Sequence, residues 1–283
     1  MSLTSAMFTG VSGLTANANG INVISNNLAN INTIGYKAAR TVFSDLLSES
    51  IGNNAQVGKG TQIQAVDNLF SQGTTETTSL TTDLSITGDS FFVLGGSAIS
   101  STTTYTAPTS ATGTRLSRAG AFSLVADTVT ADQYNLVNAD GLPVLDSNGA
   151  PISVTSATAG LGVTITKIDS TGVITAKDTT GAAATVSGTG IVGTLAVVDK
   201  SKLTKLGGSV YSVAAGAWPT VPTTYASVDG SNEKVVSNSL EQSNVDMASE
   251  MVKLILTQRA YSANSKTITT ADEMTQEVIG LKR

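Results

Sequence analysis

The chain has 283 residues, enough for one large domain or two to three small ones around a buried core. Charged residues make up 13% of it, about half the usual share, and 16 basic against 21 acidic residues leave a formal net charge of −5. With no cysteine and no histidine, disulfides, thiol nucleophiles, thiolate zinc sites and imidazole general bases are all excluded, and the charge balance argues against an electrostatic nucleic-acid binder.

The N-terminal stretch reads as a helix. Met7, Leu14, Ile21 and Leu28 recur every seven residues, with Leu3, Gly10, Asn17 and Ile24 as a companion row. Gly10 would admit another helix closely, and Asn17 would set register in the seam. Ser5, Ser12, Asn19 and Asn26 lie opposite, and no charge precedes Lys37. An uncharged polar face suits packing against copies of itself or against other helices. An ordinary amphipathic helix would have the same spacing, so periodicity alone leaves both readings open. The helix is expected to stop near Asn32, where Asn30, Thr33 and Gly35 supply turn positions. No apolar h-region precedes the first basic residue, so a conventional secretory signal peptide is not expected.

The middle of the chain reads as β structure. Leu84 and Ile86 alternate with Ser85 and Thr87, and Gly88 leads into Phe91-Phe92-Val93-Leu94. Asn138-Ala139-Asp140-Gly141 and Asp146-Ser147-Asn148-Gly149 sit between short apolar runs as turns. The second begins like a calcium loop but lacks the remaining oxygen ligands. Residues 151–204 alternate Val, Ile, Thr and Gly and read as a small antiparallel unit. Residues 216–224, with Pro219 and Pro222 beside Trp218, read as a loop or domain crossing. No stretch is long and apolar enough for a membrane span.

The C-terminal stretch returns to helical spacing: Met247, Leu254, Tyr261 and Ile268, with Met251 in the companion row, then Ala271, Met274, Val278 and Leu281. Ser243 followed by Asp246 resembles a capping box. Asp246 and Glu250 favour the positive end of the helix dipole, Lys282 and Arg283 the negative end.

The fold class expected is α+β: long terminal helices paired as a coiled coil, with mainly antiparallel β domains inserted between them. The division expected is 1–35 with 240–283 as the helical domain, 36–70 as an extended linker or hairpin, 71–145 with 205–239 as a β domain, and 146–204 as a small outer β domain.

Nothing in the sequence points to catalysis. Asp83 and Asp89 flank a strand and read as surface or turn residues. Arg115 and Arg118, three apart, read as separate ion pairs or intersubunit contacts rather than a joint phosphate site. There is no GxSxG elbow and no GxGxxG within a βαβ unit. No catalytic residue, cofactor or metal is expected.

The motifs do carry a resemblance. Gly10-Val11-Ser12-Gly13-Leu14, and Ser25-Asn26-Asn27-Leu28-Ala29-Asn30-Ile31-Asn32-Thr33-Ile34-Gly35-Tyr36-Lys37, closely resemble the N-terminal signature of bacterial flagellar rod and hook proteins. Asp83-Leu84-Ser85-Ile86-Thr87-Gly88 with Phe91-Phe92-Val93, Ser117-Arg118-Ala119-Gly120-Ala121-Phe122, and Leu136-Val137-Asn138-Ala139-Asp140-Gly141 resemble internal motifs of the same family. Ser90 stands where a second Gly usually falls. Leu240-Glu241-Gln242-Ser243-Asn244-Val245-Asp246 and Thr257-Gln258-Arg259-Ala260-Tyr261 resemble its closing signature. The match covers residues 1–145 and 236–283.

The resemblance implies a structural subunit whose terminal helices pair as an inner tube around an export channel, with β domains outside. It implies export by the flagellar type III apparatus. The implied partners are further copies of the chain, neighbouring rod and hook–filament junction proteins, and a cap during assembly, with no nucleic acid. The short interval Ser48 to Gln56 and the extra β segment favour the hook, a bending universal joint, over the distal rod or another axial subunit. Under this reading Met7, Leu14, Ile21, Leu28, Met247, Met251, Leu254 and Leu281 form the helix seam. Asn26, Asn27, Asn30, Gly35 and Tyr36 shape the turn into the β layers.

Overall fold

The computed structural model describes residues 3–47, 49–52, 55–96, 114–127, 132–213, 225, 228–230 and 233–281. It is α+β, with a helix near each end of the sequence and antiparallel strand pairing between them. Two compact units emerge: Met1–Ile31, Ala38–Leu69 and Val245–Arg283 form one, and Asn32–Lys37 with Phe70–Asn244 the other. The chain therefore passes between units at four places, after residues 31, 37, 69 and 244.

The helical unit holds α1 (Leu3–Ala29) and α2 (Met247–Gly280). Helix α1 ends three residues before Asn32, because Asn30 turns its side chain back. Its Nδ2 donates to the Asn26 carbonyl and to Asn26 Oδ1, both at 2.9 Å, and so caps the last turn. Helix α2 starts at Asp246 rather than Ser243. Asp246 is itself the N-cap, its carboxylate accepting the Ala248 N–H at 3.2 Å. The capping-box reading was displaced because Ser243 lies in the extended segment before the helix. Lys282 and Arg283, expected at the negative end, lie outside the described residues.

An antiparallel hairpin, Ala39–Asp45 with Thr61–Asn68, packs on α1, and a second pair, Glu49–Gly52 with Ala55–Val57, follows within the same loop of chain. This is where the 36–70 linker or hairpin was expected. Gly60 comes so near α1 that a Cβ there would strike the Ser12 side chain.

The β unit carries a five-stranded sheet, in the order Thr194–Leu195, Phe91–Leu94, Arg115–Ser117, Val210–Val213, Leu203–Gly207. A four-stranded sheet runs Thr185–Val186, Ser153–Thr155, Gln133–Val137, Ser123–Ala126. Among the described residues three two-stranded pairs accompany them: Val163–Ile168 with Ile174–Asp178, Leu84–Thr87 with Lys234–Ser237, and Thr75–Thr77 with Ser239–Glu241.

The run Phe91–Leu94 is fully buried because it serves two cores. Phe92 and Leu94 face one, with Leu84, Ile86, Leu136, Ile152 and Val235. Phe91 and Val93 face the other, with Leu116, Leu145, Leu195 and Tyr211. Alternation of side chains along a strand produces this division, and it explains why the run has no polar interruption. Val163, Ile165, Ile168 and Ile174, from the segment expected to form an outer domain, lie in the first core beside Phe92.

The turns follow the local chemistry read from the sequence. At Asp146–Gly149 the carboxylate accepts the N–H groups of Asn148 and Ala150, and the Gly149 N–H closes on the Asp146 carbonyl with Gly149 at φ +82°. Asn138–Gly141 repeats the pattern with its side-chain amide oxygen. The expected loop at 216–224 lies outside the described residues.

Candidate functional site

Within the helical unit α1 and α2 lie antiparallel. A Cβ on Gly10 would sit 2.8 Å from Ile268, one on Gly13 would sit 2.5 Å from Asn264, and one on Gly20 would sit 3.6 Å from Thr257. One further heptad along, the buried Asn27 donates to Glu250 at 3.2 Å. The buried positions of α1 are thus Gly10, Gly13, Ala16, Gly20 and Asn27. Small residues let the two backbones approach more closely than leucines would, and the anticipated role of Gly10 has this basis. On α2 the more covered positions, Glu250, Leu254, Thr257, Asn264, Ile268, Ala271 and Thr275, recur three, four or seven apart.

The residues expected in the seam, Leu254 apart, stand beside this line. Met7, Leu14, Ile21 and Leu28 are half-buried, as is Leu254. Met247, Met251 and Leu281 are exposed, at 53%, 45% and 86%. Phe8, Val252, Ile255, Leu256, Val278 and Ile279 are exposed too. On α1 the buried positions are thus small or polar, and many of the large apolar side chains of both helices remain outside. A shallow apolar groove of about 460 Å³ runs between them, lined by Ala6, Ala263, Lys266, Thr267, Ala271 and Met274.

The motif residues in the last turn of α1 and just after it do different things. Asn26 is exposed and receives the Asn30 amide. Asn27 is buried, and its side chain satisfies both polar groups of the Ala39 backbone, fixing the start of the hairpin. Gly35 and Tyr36 are buried in the β unit. Gly35 has φ +66°, and a Cβ there would stand 2.4 Å from the Ala119 nitrogen, so conformation and space both require glycine. The Tyr36 ring carries the Lys205 ammonium 4.4 Å from its centroid, and Lys205 donates to the Lys37 carbonyl at 2.8 Å.

The chemistry of this region centres on three buried charges, of which only Arg118 is expected from the sequence to form an ion pair. Lys37 Nζ donates to Glu241 Oε1 at 2.6 Å and to the Ser71 carbonyl at 2.8 Å. Arg118 Nη1 donates to Glu241 Oε2 at 3.1 Å, and the guanidinium also reaches the carbonyls of Ile86 and Gly88. The Gly73 N–H completes the shell of Glu241 Oε1 at 2.8 Å. All three side chains are within 1% of complete burial. Removal from water lowers the Lys37 pKa below its ordinary value, and Glu241 opposes that effect. The guanidinium lies 5.2 Å from the Phe91 ring centroid, and its Nε has no hydrogen-bond partner among the described residues. The available signal was slight: three charges, each inside a quoted motif, in a chain with few charges.

The other candidates have structural partners. Asp83 is buried in a bridge to Ala121, and Asp89 pairs with Lys200 at 2.9 Å. Arg118 is ion-paired to Glu241, as described. Ser90 is buried and donates its hydroxyl to Glu233. Among the described residues no three acidic side chains converge as a metal site would need, and no helix is long and apolar enough to cross a membrane.

Against known proteins, residues 7–37 match the model for flagella basal body rod proteins, and residues 236–281 match that for the C-terminal region of flagellar basal body rod FlgEFG proteins. The chain is 31% identical to the flagellar basal-body rod protein FlgG of Bacillus subtilis over 98% of its own length and 99% of the relative's. It is 35% identical to FlgG of Agrobacterium fabrum, over 95% and 96% of the two chains. Likeness to the flagellar hook protein FlgE of Treponema pallidum is 39%, but over only 31% of this chain and 22% of the relative.

Proposed function

The chain belongs to the flagellar rod and hook protein family, and from that premise we propose that it is a structural subunit of the distal rod, or a closely allied axial segment of the hook–basal body. The observation that carries this is the extent of likeness. Rod proteins match from one end of the chain to the other and over nearly all of their own length. The hook relative matches over a minor part of each chain. The hook expectation is given up for that reason. It rested on the short Ser48–Gln56 interval and on the 146–204 segment, and both fall within the reach of full-length alignment to rod proteins.

In this reading the protein is a mechanical element and not an enzyme. Copies polymerise through the terminal helices, paired in coiled-coil fashion, into a tube that encloses the export channel and meets neighbouring rod and hook components. Met7, Leu14, Ile21, Leu28, Met247, Met251, Leu254 and Leu281 are the proposed contacts between copies. The exposure of Met247, Met251 and Leu281 supports this, since apolar surface of that extent is stabilised by a neighbour. The close approach at Gly10 and Gly13 suits a shaft, because tightly packed backbones resist shear.

The test is deletion of the gene in the source bacterium, followed by electron microscopy of the basal bodies. Truncated rods without hooks are expected. Complete rods that lack only the hook would overturn the rod assignment. Purified protein under high-salt polymerising conditions gives a second reading: straight, stiff tubes are expected, and curved tubes would restore the hook.

A further inference from the structure

The cluster of Lys37, Arg118 and Glu241 holds two cations and one anion, all buried. The cations come from residues 37 and 118, and the anion arrives only at residue 241. Glu241 sits on the strand Ser239–Glu241, which pairs with Thr75–Thr77. Around it the backbone is tied on both sides. The Gly35 N–H donates to the Glu241 carbonyl at 2.8 Å, and the Gln242 N–H donates to the Thr74 carbonyl at 2.8 Å. Ser239 Oγ lies 2.7 Å from Ser85 Oγ.

The members of the cluster also stand close to places where the chain leaves or rejoins the β unit. Lys37 is the last residue before one departure, and Ser71 is the second residue after the chain returns at Phe70. Glu241 precedes the final departure by three.

We propose that Glu241 is a closure residue: the β unit reaches its final packing only when the segment 239–244 docks and neutralises Lys37 and Arg118, so that both ends of the sequence close the fold in one step. The charge arithmetic makes the device asymmetric. Without Lys37, Arg118 and Glu241 remain a balanced pair. Without Glu241, two buried cations face each other with no counter-charge, and burial of an uncompensated charge is among the most damaging changes a fold can suffer. Among the described residues no other carboxylate is hydrogen-bonded to Lys37 or Arg118, and the exposed Asp89 attracts both only from a distance. Asp89 is occupied by Lys200, and Glu233 receives the Ser90 hydroxyl and the Asp89 N–H. The inference holds whichever axial segment the chain builds, because it concerns the order of folding within one subunit.

The first test is a mutant cycle on the full chain, read by urea unfolding and near-UV circular dichroism. Lys37→Met is expected to lower the unfolding midpoint moderately and keep the native near-UV signal. Glu241→Gln is expected to lower it further or abolish the cooperative transition. The double variant Lys37→Met/Glu241→Gln is expected to be more stable than Glu241→Gln alone, because one stranded cation has gone. If the double variant is less stable than either single variant, the charge argument fails, even where Glu241→Gln does not fold. The second test is pulsed hydrogen exchange during refolding of the wild-type chain. Amides of Phe91–Leu94 and Ser239–Glu241 are expected to gain protection in the same kinetic phase. Protection of Phe91–Leu94 well before Ser239–Glu241 would overturn the closure role.

Discussion

Asn27 grips Ala39 by both polar groups of its backbone: Nδ2 donates to the Ala39 carbonyl at 2.7 Å, and Oδ1 accepts the Ala39 N–H at 2.9 Å. A side-chain amide presents the same donor and acceptor as a peptide, so a helix residue here stands in for a neighbouring strand. The second Nδ2 proton goes to Glu250 Oε2 at 3.2 Å, and Glu250 Oε1 takes Lys253 at 2.6 Å. One buried amide thereby joins α1, the hairpin and α2.

Replacement of Asn27 by Ala should strand two backbone groups, at a cost of about 1–3 kcal/mol for each group left unpaired. Asn27→Asp should be no milder, since it keeps the acceptor but faces the Glu250 carboxylate with another. Urea unfolding gives the loss, and exchange of the Ala39 amide locates it. An Ala39 amide still protected in Asn27→Ala would refute the assigned role.

At Gly13 the prediction concerns space. A Cβ there would stand 2.5 Å from Asn264 Nδ2, so Gly13→Leu should displace Asn264 or push the helices apart, at about 1–3 kcal/mol for overpacking. Gly280, also in a helix, has nothing within 4 Å of an added Cβ. Gly280→Ala should therefore cost nothing and gain up to about 1 kcal/mol from helix propensity. Thermal unfolding of the two variants separates the effects. Equal losses at both sites would show that chain entropy, not close approach, governs glycine in these helices.

These two sites mark what the sequence discloses. Heptad spacing reveals both helices, since 3.6-residue periodicity depends only on local geometry. It does not reveal which line of the helix meets the intramolecular partner. Hydrophobicity points to Met7, Leu14, Ile21 and Leu28, whereas the close contact runs through Gly10, Gly13 and Gly20, whose merit is small size. The Asp146 and Asn138 turns were legible because their bonds close within four residues. The Lys37–Glu241 pair was not, because it spans 204 positions and no local pattern encodes it. Asp246 as a cap was misassigned for a smaller reason: Ser243 and Asp246 are both capable acceptors, and the extended path of the chain before α2 decides between them.

Tyr211 should govern the alkaline limit of the β unit. It is almost completely buried between Phe70 and Phe91, with ring centroids 5.5 Å and 6.1 Å away. Burial pushes its hydroxyl well above the ordinary value of 10.0, and Tyr36 adds to the rise. Above that ordinary value the unfolded chain loses the proton while the folded chain keeps it. The folded state then binds more protons, and stability falls as pH rises. Tyr211→Phe should match the wild type below pH 10.0 and be increasingly the more stable above it. Unfolding midpoints across that range provide the measurement. Parallel curves would mean that Tyr211 ionises in the folded protein.

Assembly and folding should be separable at Met251 and inseparable at Leu254. Met251 is 45% exposed, while Leu254, three residues on, is half-buried among the more covered positions of α2. Met251→Asp should leave the single chain nearly as stable as the wild type, since surface substitutions of this kind stay within about 0.5 kcal/mol. It should nevertheless stop polymerisation, because each contact between copies would then bury an unpaired carboxylate. Leu14→Asp and Leu254→Asp should stop polymerisation as well, but with loss of helical-unit stability and with the β unit still folded. Sedimentation gives the polymer yield, and circular dichroism gives the stability of each variant. Normal tubes from Met251→Asp would remove that residue from the contact between copies. Normal tubes from Leu14→Asp and Leu254→Asp as well would overturn the proposal that this face of the helices builds the axial polymer.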